Sequence, residues 1–82
     1  RLTMSVVKEM VECVVKKLVD NPDAVKVVET EGERTVVVEL KVDTKDLGKV
    51  IGKQGRTAKA LRTLITAVSA RAGKKAVLEI ID

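Results

Sequence analysis

The chain contains no phenylalanine, tyrosine, tryptophan or histidine, and only one cysteine and one proline among 82 residues. Each shortage closes off a class of chemistry. Without histidine, and with Cys13 alone, neither a Cys/His metal site nor a Cys/His nucleophile pair can be assembled. A single thiol also excludes an internal disulfide, and with it a disulfide-stapled secreted scaffold. No long apolar run follows a basic start, and nothing approaches the ~20 apolar residues of a membrane span, so a reducing cytoplasm is the expected compartment.

A chain this short makes one domain at most. Its core must come from the 45% of residues that are apolar, which here means Val, Leu, Ile, Ala and Met. The net charge of +4 is unevenly spread. Residues 1–47 carry eight Lys/Arg against ten Asp/Glu, whereas residues 48–82 carry eight against two. No acidic residue stands between Leu47 and Leu78, a stretch that holds Lys49, Lys53, Arg56, Lys59, Arg62, Arg71, Lys74 and Lys75. A one-sided field of this kind favours a polyanion, although a basic face kept for solubility would read the same way.

Residues 4–19 have a helical period, with Met4, Val7, Met10, Val11, Val14, Val15 and Leu18 on one stripe and Lys8, Glu9, Glu12 and Lys16 opposite. Cys13 lies at the margin of that stripe and reads as a small, partly buried residue. Asp20-Asn21-Pro22-Asp23 stops the helix, because proline forces its predecessor out of the helical region. Two strands follow, Val25–Glu29 and Thr35–Val42, the second with Val36, Val38, Leu40 and Val42 on one face. Glu31-Gly32-Glu33-Arg34 reads as the hairpin turn, with Gly32 expected at positive φ.

Asp43 or Thr44 is the expected cap of a short helix from Lys45 to Ile51, with Asp46 in its first turn. It breaks at Gly52. A second helix starts near Gly55 or Arg56, burying Leu61, Leu64, Ile65, Val68 and Ala72, and Gly73 caps its end. Lys74-Lys75 makes a solvated turn into a last strand, Ala76–Ile81. The order α-β-β-α-α-β predicts an α+β two-layer sandwich, a three-stranded sheet covered on one face by three helices.

The stretch Gly52-Lys53-Gln54-Gly55 is where chemistry concentrates. A Walker A loop is excluded, since Gly48-Lys49-Val50-Ile51-Gly52-Lys53-Gln54 is one residue short and ends in Gln, and no G-x-G-x-x-G occurs. The carboxylates at Asp43/Asp46 and Glu29/Glu31/Glu33 are accounted for by a cap and a turn, so catalysis has no candidate residue. Anion capture remains. Two glycines let a phosphodiester approach the backbone, and the following helix directs free N–H groups and its positive end to the same spot. Lys53, Gln54 and Arg56 add donors there, and Lys49, Lys59 and Arg62 extend the basic zone.

Val50-Ile51-Gly52-Lys53-Gln54-Gly55-Arg56 resembles the V-I-G-x-x-G signature of KH domains, whose GXXG loop clamps about four backbone nucleotides. The element order is similar to the type II arrangement, and the resemblance covers essentially the whole chain as a single KH domain. It extends to the small stand-alone bacterial KH proteins of the KhpA type, through VDNPD, a hairpin and GKVIGKQGR. It implies a cytoplasmic protein that binds single-stranded RNA as chaperone or post-transcriptional regulator, without a cofactor. It also implies a homodimer and a pairing with a larger KH-containing protein of the KhpB (Jag) type. Ile51 is assigned to the RNA-binding set as well as to the helix interior. Where many KH domains carry a bulky aliphatic after the loop, this chain has Ala58, so a shallow base groove is expected. Two other classes fit parts of the pattern: a helix-turn-helix reader of duplex DNA, and a dimerisation module without nucleic acid.

Overall fold

A computed structural model describes residues 5–81. Helix α1 (Ser5–Leu18) leads through a 3₁₀ turn at Pro22–Ala24 into strands β1 (Lys26–Glu31) and β2 (Thr35–Lys41). A second 3₁₀ turn (Thr44–Asp46) opens helix α2 (Leu47–Ile51), which is followed by α3 (Arg56–Arg71) and strand β3 (Lys75–Ile81). Among the described residues the strands form one sheet in the order β1-β2-β3. β1 and β2 are antiparallel, whereas β2 and β3 are parallel, with Val36 opposite Ala76 and Leu40 opposite Ile80. Parallel neighbours need a long crossover, usually helical, and here α2 and α3 are that crossover.

Alternation in β2 sets the layers. Val36, Val38 and Leu40 are fully buried, and Val42 continues the same face beyond the strand. They meet Val7, Val11 and Val15 of α1, Val50 of α2, Leu61 and Ile65 of α3, and Leu78 of β3. The helices thus cover one face of the sheet, as the α-β-β-α-α-β order predicts. β-branched valines lose rotamer freedom in a helix, so α1 depends on this packing to hold its valine-rich face.

Several expectations differ in detail. Met4 lies outside the described residues. Leu18 is exposed rather than on the buried stripe, and Val19, one residue on, is buried in its place. Cys13 is exposed, because it falls on the solvent side of the arc marked by Val7, Val11 and Val15. On α3, Leu64 is exposed; the buried row is Ala58, Leu61, Ile65 and Ser69, a tighter i, i+3/i+4 line than the sequence stripe. Gly32 does not take positive φ. Its N–H donates to the Thr35 carbonyl at 2.7 Å, so it continues the strand pairing and Glu33-Arg34 make the reversal. Lys74 is not in a solvated turn: its ammonium pairs with Glu31 and donates to the Gly32 carbonyl at 2.9 Å. Gly73 does close α3, at φ 75°, with the Lys74 N–H returning to the Ser69 carbonyl at 3.0 Å.

Candidate nucleic-acid interface

Helix α2 is stopped by Gly52 at φ 79°, ψ 169°, a region open only to glycine. Gln54 (φ 58°, ψ 26°) and Gly55 (φ 72°, ψ 14°) then take the left-handed conformation in succession, which turns the chain into α3. The turn is closed by the Gly55 N–H donating to the Gly52 carbonyl at 3.0 Å. A glutamine at positive φ is strained by about 1 kcal/mol or more, and such strain collects at ligand clamps. Its effect here is to push Lys53 and Gln54 out, both exposed, ahead of the first turn of α3.

The two glycines have different reasons to be glycine. A Cβ on Gly55 would meet nothing within 4 Å, so its face is open to an approaching group. A Cβ on Gly52 would lie 2.3 Å from Thr57 Oγ1 and 2.9 Å from the Thr57 backbone nitrogen. That side of the loop is filled from within. Of the two glycines, only Gly55 has an empty Cβ position.

Gly55 stands at the mouth of an open cleft of about 480 Å³. Ile51, Ala58 and Arg62 form one wall, and Leu78 to Ile81 of β3 form the other. Ile51 is 38% exposed and faces this cleft, which places it in the groove rather than the core. Ala58 is buried and offers only a methyl at that wall. The β3 wall is also polar. The Lys75 N–H donates to Arg34 and the Ile81 carbonyl accepts from Val42, so odd-numbered residues turn their backbone toward β2. Backbone groups alternate along a strand; those of Leu78 and Ile80 therefore point to the free edge, into the cleft.

The basic residues divide into two sets. Lys53, Arg56, Lys59 and Arg62 are exposed and form no ion pair among the described residues. Lys49 instead pairs with Asp20, at the far end of α1. That hydrogen bond, helped by the charges of Asp20 and Asp46, holds the Lys49 ammonium above the usual lysine range.

Behind the loop lies a knot the sequence did not reveal. The Asp46 carboxylate, 2% exposed, accepts the backbone N–H groups of Asp20 at 3.1 Å and Asn21 at 3.0 Å. Asp43 accepts from the Lys45 N–H at 2.9 Å and from the Asn21 side chain, and these two bonds hold its carboxyl below the usual range. Asp43 is thus the cap the sequence predicts, whereas Asp46 ties the end of α1 to the start of α2. No spacing rule marks a carboxylate that reaches 26 residues back along the chain. Among the described residues no group of His, Cys, Asp and Glu is placed to hold a metal ion, and no helix is long and apolar enough to cross a membrane.

A three-stranded α+β sandwich in this order, with two helices joined by a G-x-x-G turn beside a free strand edge, defines a type II KH domain. The chain belongs to the KhpA/KhpB KH-domain family, whose model matches residues 8–80. It is 60% identical to the RNA-binding protein KhpA of Aquifex aeolicus, over 96% of this chain and 100% of that one. The KhpA of Clostridium perfringens is 54% identical over 90% and 99%, and that of Chlamydia pneumoniae 44% over 92% and 96%. No solved structure gives a significant match.

Proposed function

We propose that this chain is a single KH domain that binds single-stranded RNA in the cytoplasm, holding the sugar-phosphate backbone at the loop Gly52–Gly55. The observation that carries this reading is the open face of Gly55 in the lining of a cleft that also holds Arg62, which forms no ion pair among the described residues, and the free backbone edge of β3. A phosphate seats against Gly55 at the positive end of α3. Lys53, Arg56, Lys59 and Arg62 neutralise its neighbours, and Gln54 adds a neutral donor. The base attached to that nucleotide lies between the aliphatic wall at Ile51 and the β3 edge, where Leu78 and Ile80 present N–H and C=O groups.

With no aromatic side chain to stack a base, affinity leans on phosphate contacts and aliphatic packing. Ala58 leaves room in the wall, which loosens base selection. Modest affinity per domain suits a chaperone or post-transcriptional regulator that works as a dimer, with two loops on one RNA. The same logic covers a pairing with a larger KH protein of the KhpB (Jag) type, and the names of the relatives support the RNA reading.

The test is a binding titration with a fluorescently labelled single-stranded RNA, repeated with duplex DNA as competitor. Lys53→Asp combined with Gln54→Asp abolishes binding while the circular dichroism spectrum stays that of the parent. Unchanged RNA affinity in that folded double variant would overturn the site. Preferential displacement by duplex DNA would favour a helix-turn-helix mode instead.

A further inference from the structure

We infer that Thr57, in the first turn of α3, is a positioning residue that sets the shape of the phosphate-binding loop; the inference rests on the clamp reading above. Its hydroxyl oxygen is the atom nearest to where a Gly52 Cβ would stand, at 2.3 Å, with its own Cβ at 2.8 Å. The side chain therefore occupies the volume that glycine vacates, and the oxygen faces the loop more closely than the larger methyl does. Thr57 packs against Gly52 and is not among the residues that line the cleft. Its contact with RNA is indirect.

The loop has little else to hold it. Its tethers are backbone bonds alone, from the Gly52 N–H to Gly48, the Gly55 N–H to Gly52 and the Arg56 N–H to Lys53; among the described residues no side chain caps α3, and Gln54 carries a strained φ. A strained turn with few tethers relaxes unless something packs beneath it, and relaxation would rotate the Gly55 face away from the cleft. Thr57 is that support. It also gives Gly52 a second reason to be glycine, independent of its φ: any side chain there would expel Thr57 from its seat.

The variants Thr57→Ser, Thr57→Ala and Thr57→Val separate this role from general stability. Serine keeps the oxygen, and affinity for the labelled RNA stays within about twofold of the parent. Alanine empties the seat and valine puts a methyl where the oxygen was. Both weaken binding about three- to tenfold, the scale of the ordering cost of a loop not held in its binding form. Amide exchange of Gly55 and Arg56, whose N–H groups close the turn, speeds up in these two variants in the free protein, while exchange in β2 stays unchanged. Thr63→Ala serves as control, because the Thr63 hydroxyl donates only to the Lys59 carbonyl of its own helix; it binds as the parent does. If Thr57→Ala and Thr57→Val bind like the parent while the Lys53/Gln54 double variant does not, the positioning role falls and the clamp stands. If the double variant also binds like the parent, the clamp reading itself fails.

Discussion

Gly55 and Asp20 bracket what single residues do at this site. Gly55→Val adds a branched Cβ where φ is 72° and fills the one open backbone face of the loop. It should weaken RNA binding more than Lys59→Ala, which removes one exposed charge; equal losses in a fluorescence titration would argue against backbone capture. Asp20 works in the other direction, holding Lys49 in an ion pair beside the loop. Asp20→Asn leaves the backbone bond to Asp46 in place, frees Lys49 and removes a repelling carboxylate. Affinity for RNA is expected to rise about two- to fivefold at low salt, the range of an exposed pair. An unchanged or weaker affinity would show that Lys49 lies off the path of the RNA.

At the scale of elements, the knot at Asp46 joins α1 to the helix that delivers the loop. Asp46→Ala strands two backbone donors and should lower stability by about 2 kcal/mol, a drop in Tm of roughly 8–16 °C by calorimetry. On the other side of the fold, β1 carries a pH-dependent weakness. Glu29 has a carboxylate oxygen buried without a partner among the described residues. Burial first, and then the neighbouring charge of Glu31, raise its pKa, against smaller opposing effects of Lys8. A raised folded value favours the protonated form in the native state. Its stabilising effect is present below the ordinary glutamate range and is lost as pH climbs through the raised folded value. Glu29→Gln should therefore melt higher than the parent at pH 7 and alike near pH 3, and a Tm series across that interval checks the sign.

Elements were also the level at which sequence spoke most plainly. Val36, Val38, Leu40 and Val42 alternate without exception, so β2 and its buried face could be read directly. Pro22, Gly52 and Gly73 each stop an element where the sequence places the stop, because each acts through its own backbone. The errors came where the outcome depends on a neighbour far along the chain. Leu64 satisfies the helical period of α3, yet the sheet covers a narrower arc than that period allows. Asp46 looks like any first-turn carboxylate until α1 brings Asp20 and Asn21 to it. At the site, composition and the G-x-x-G spacing marked the exposed cations and the turn. The β3 wall and the filling of Gly52 by Thr57 depend on a parallel pairing and a side-chain packing that no local pattern encodes.

For the molecule as a whole, the charge asymmetry becomes a measurable slope. If Lys53, Arg56, Lys59 and Arg62 each meet one phosphate, log affinity should fall with log salt at a slope of about −3, near 0.7 per contact for single strands. That is a loss of roughly fiftyfold between about 50 and 200 mM salt. A flat response would move the protein to the class of modules that do not bind nucleic acid.

The parallel pairing of β2 with β3 bears on how the protein comes into being. Every group assigned to the clamp lies between Thr35 and Ile81, inside the span that this pairing closes, with Thr35 set against Lys75. As the chain leaves the ribosome, α1, the hairpin, the glycine turn and the basic helix all emerge before the strand that forms the second wall of the cleft. A nascent chain therefore carries the charge of the finished site without its shape. On the proposed reading, holding RNA in a defined register requires the last strand to dock, so truncation within β3 should leave a basic, weakly discriminating polypeptide.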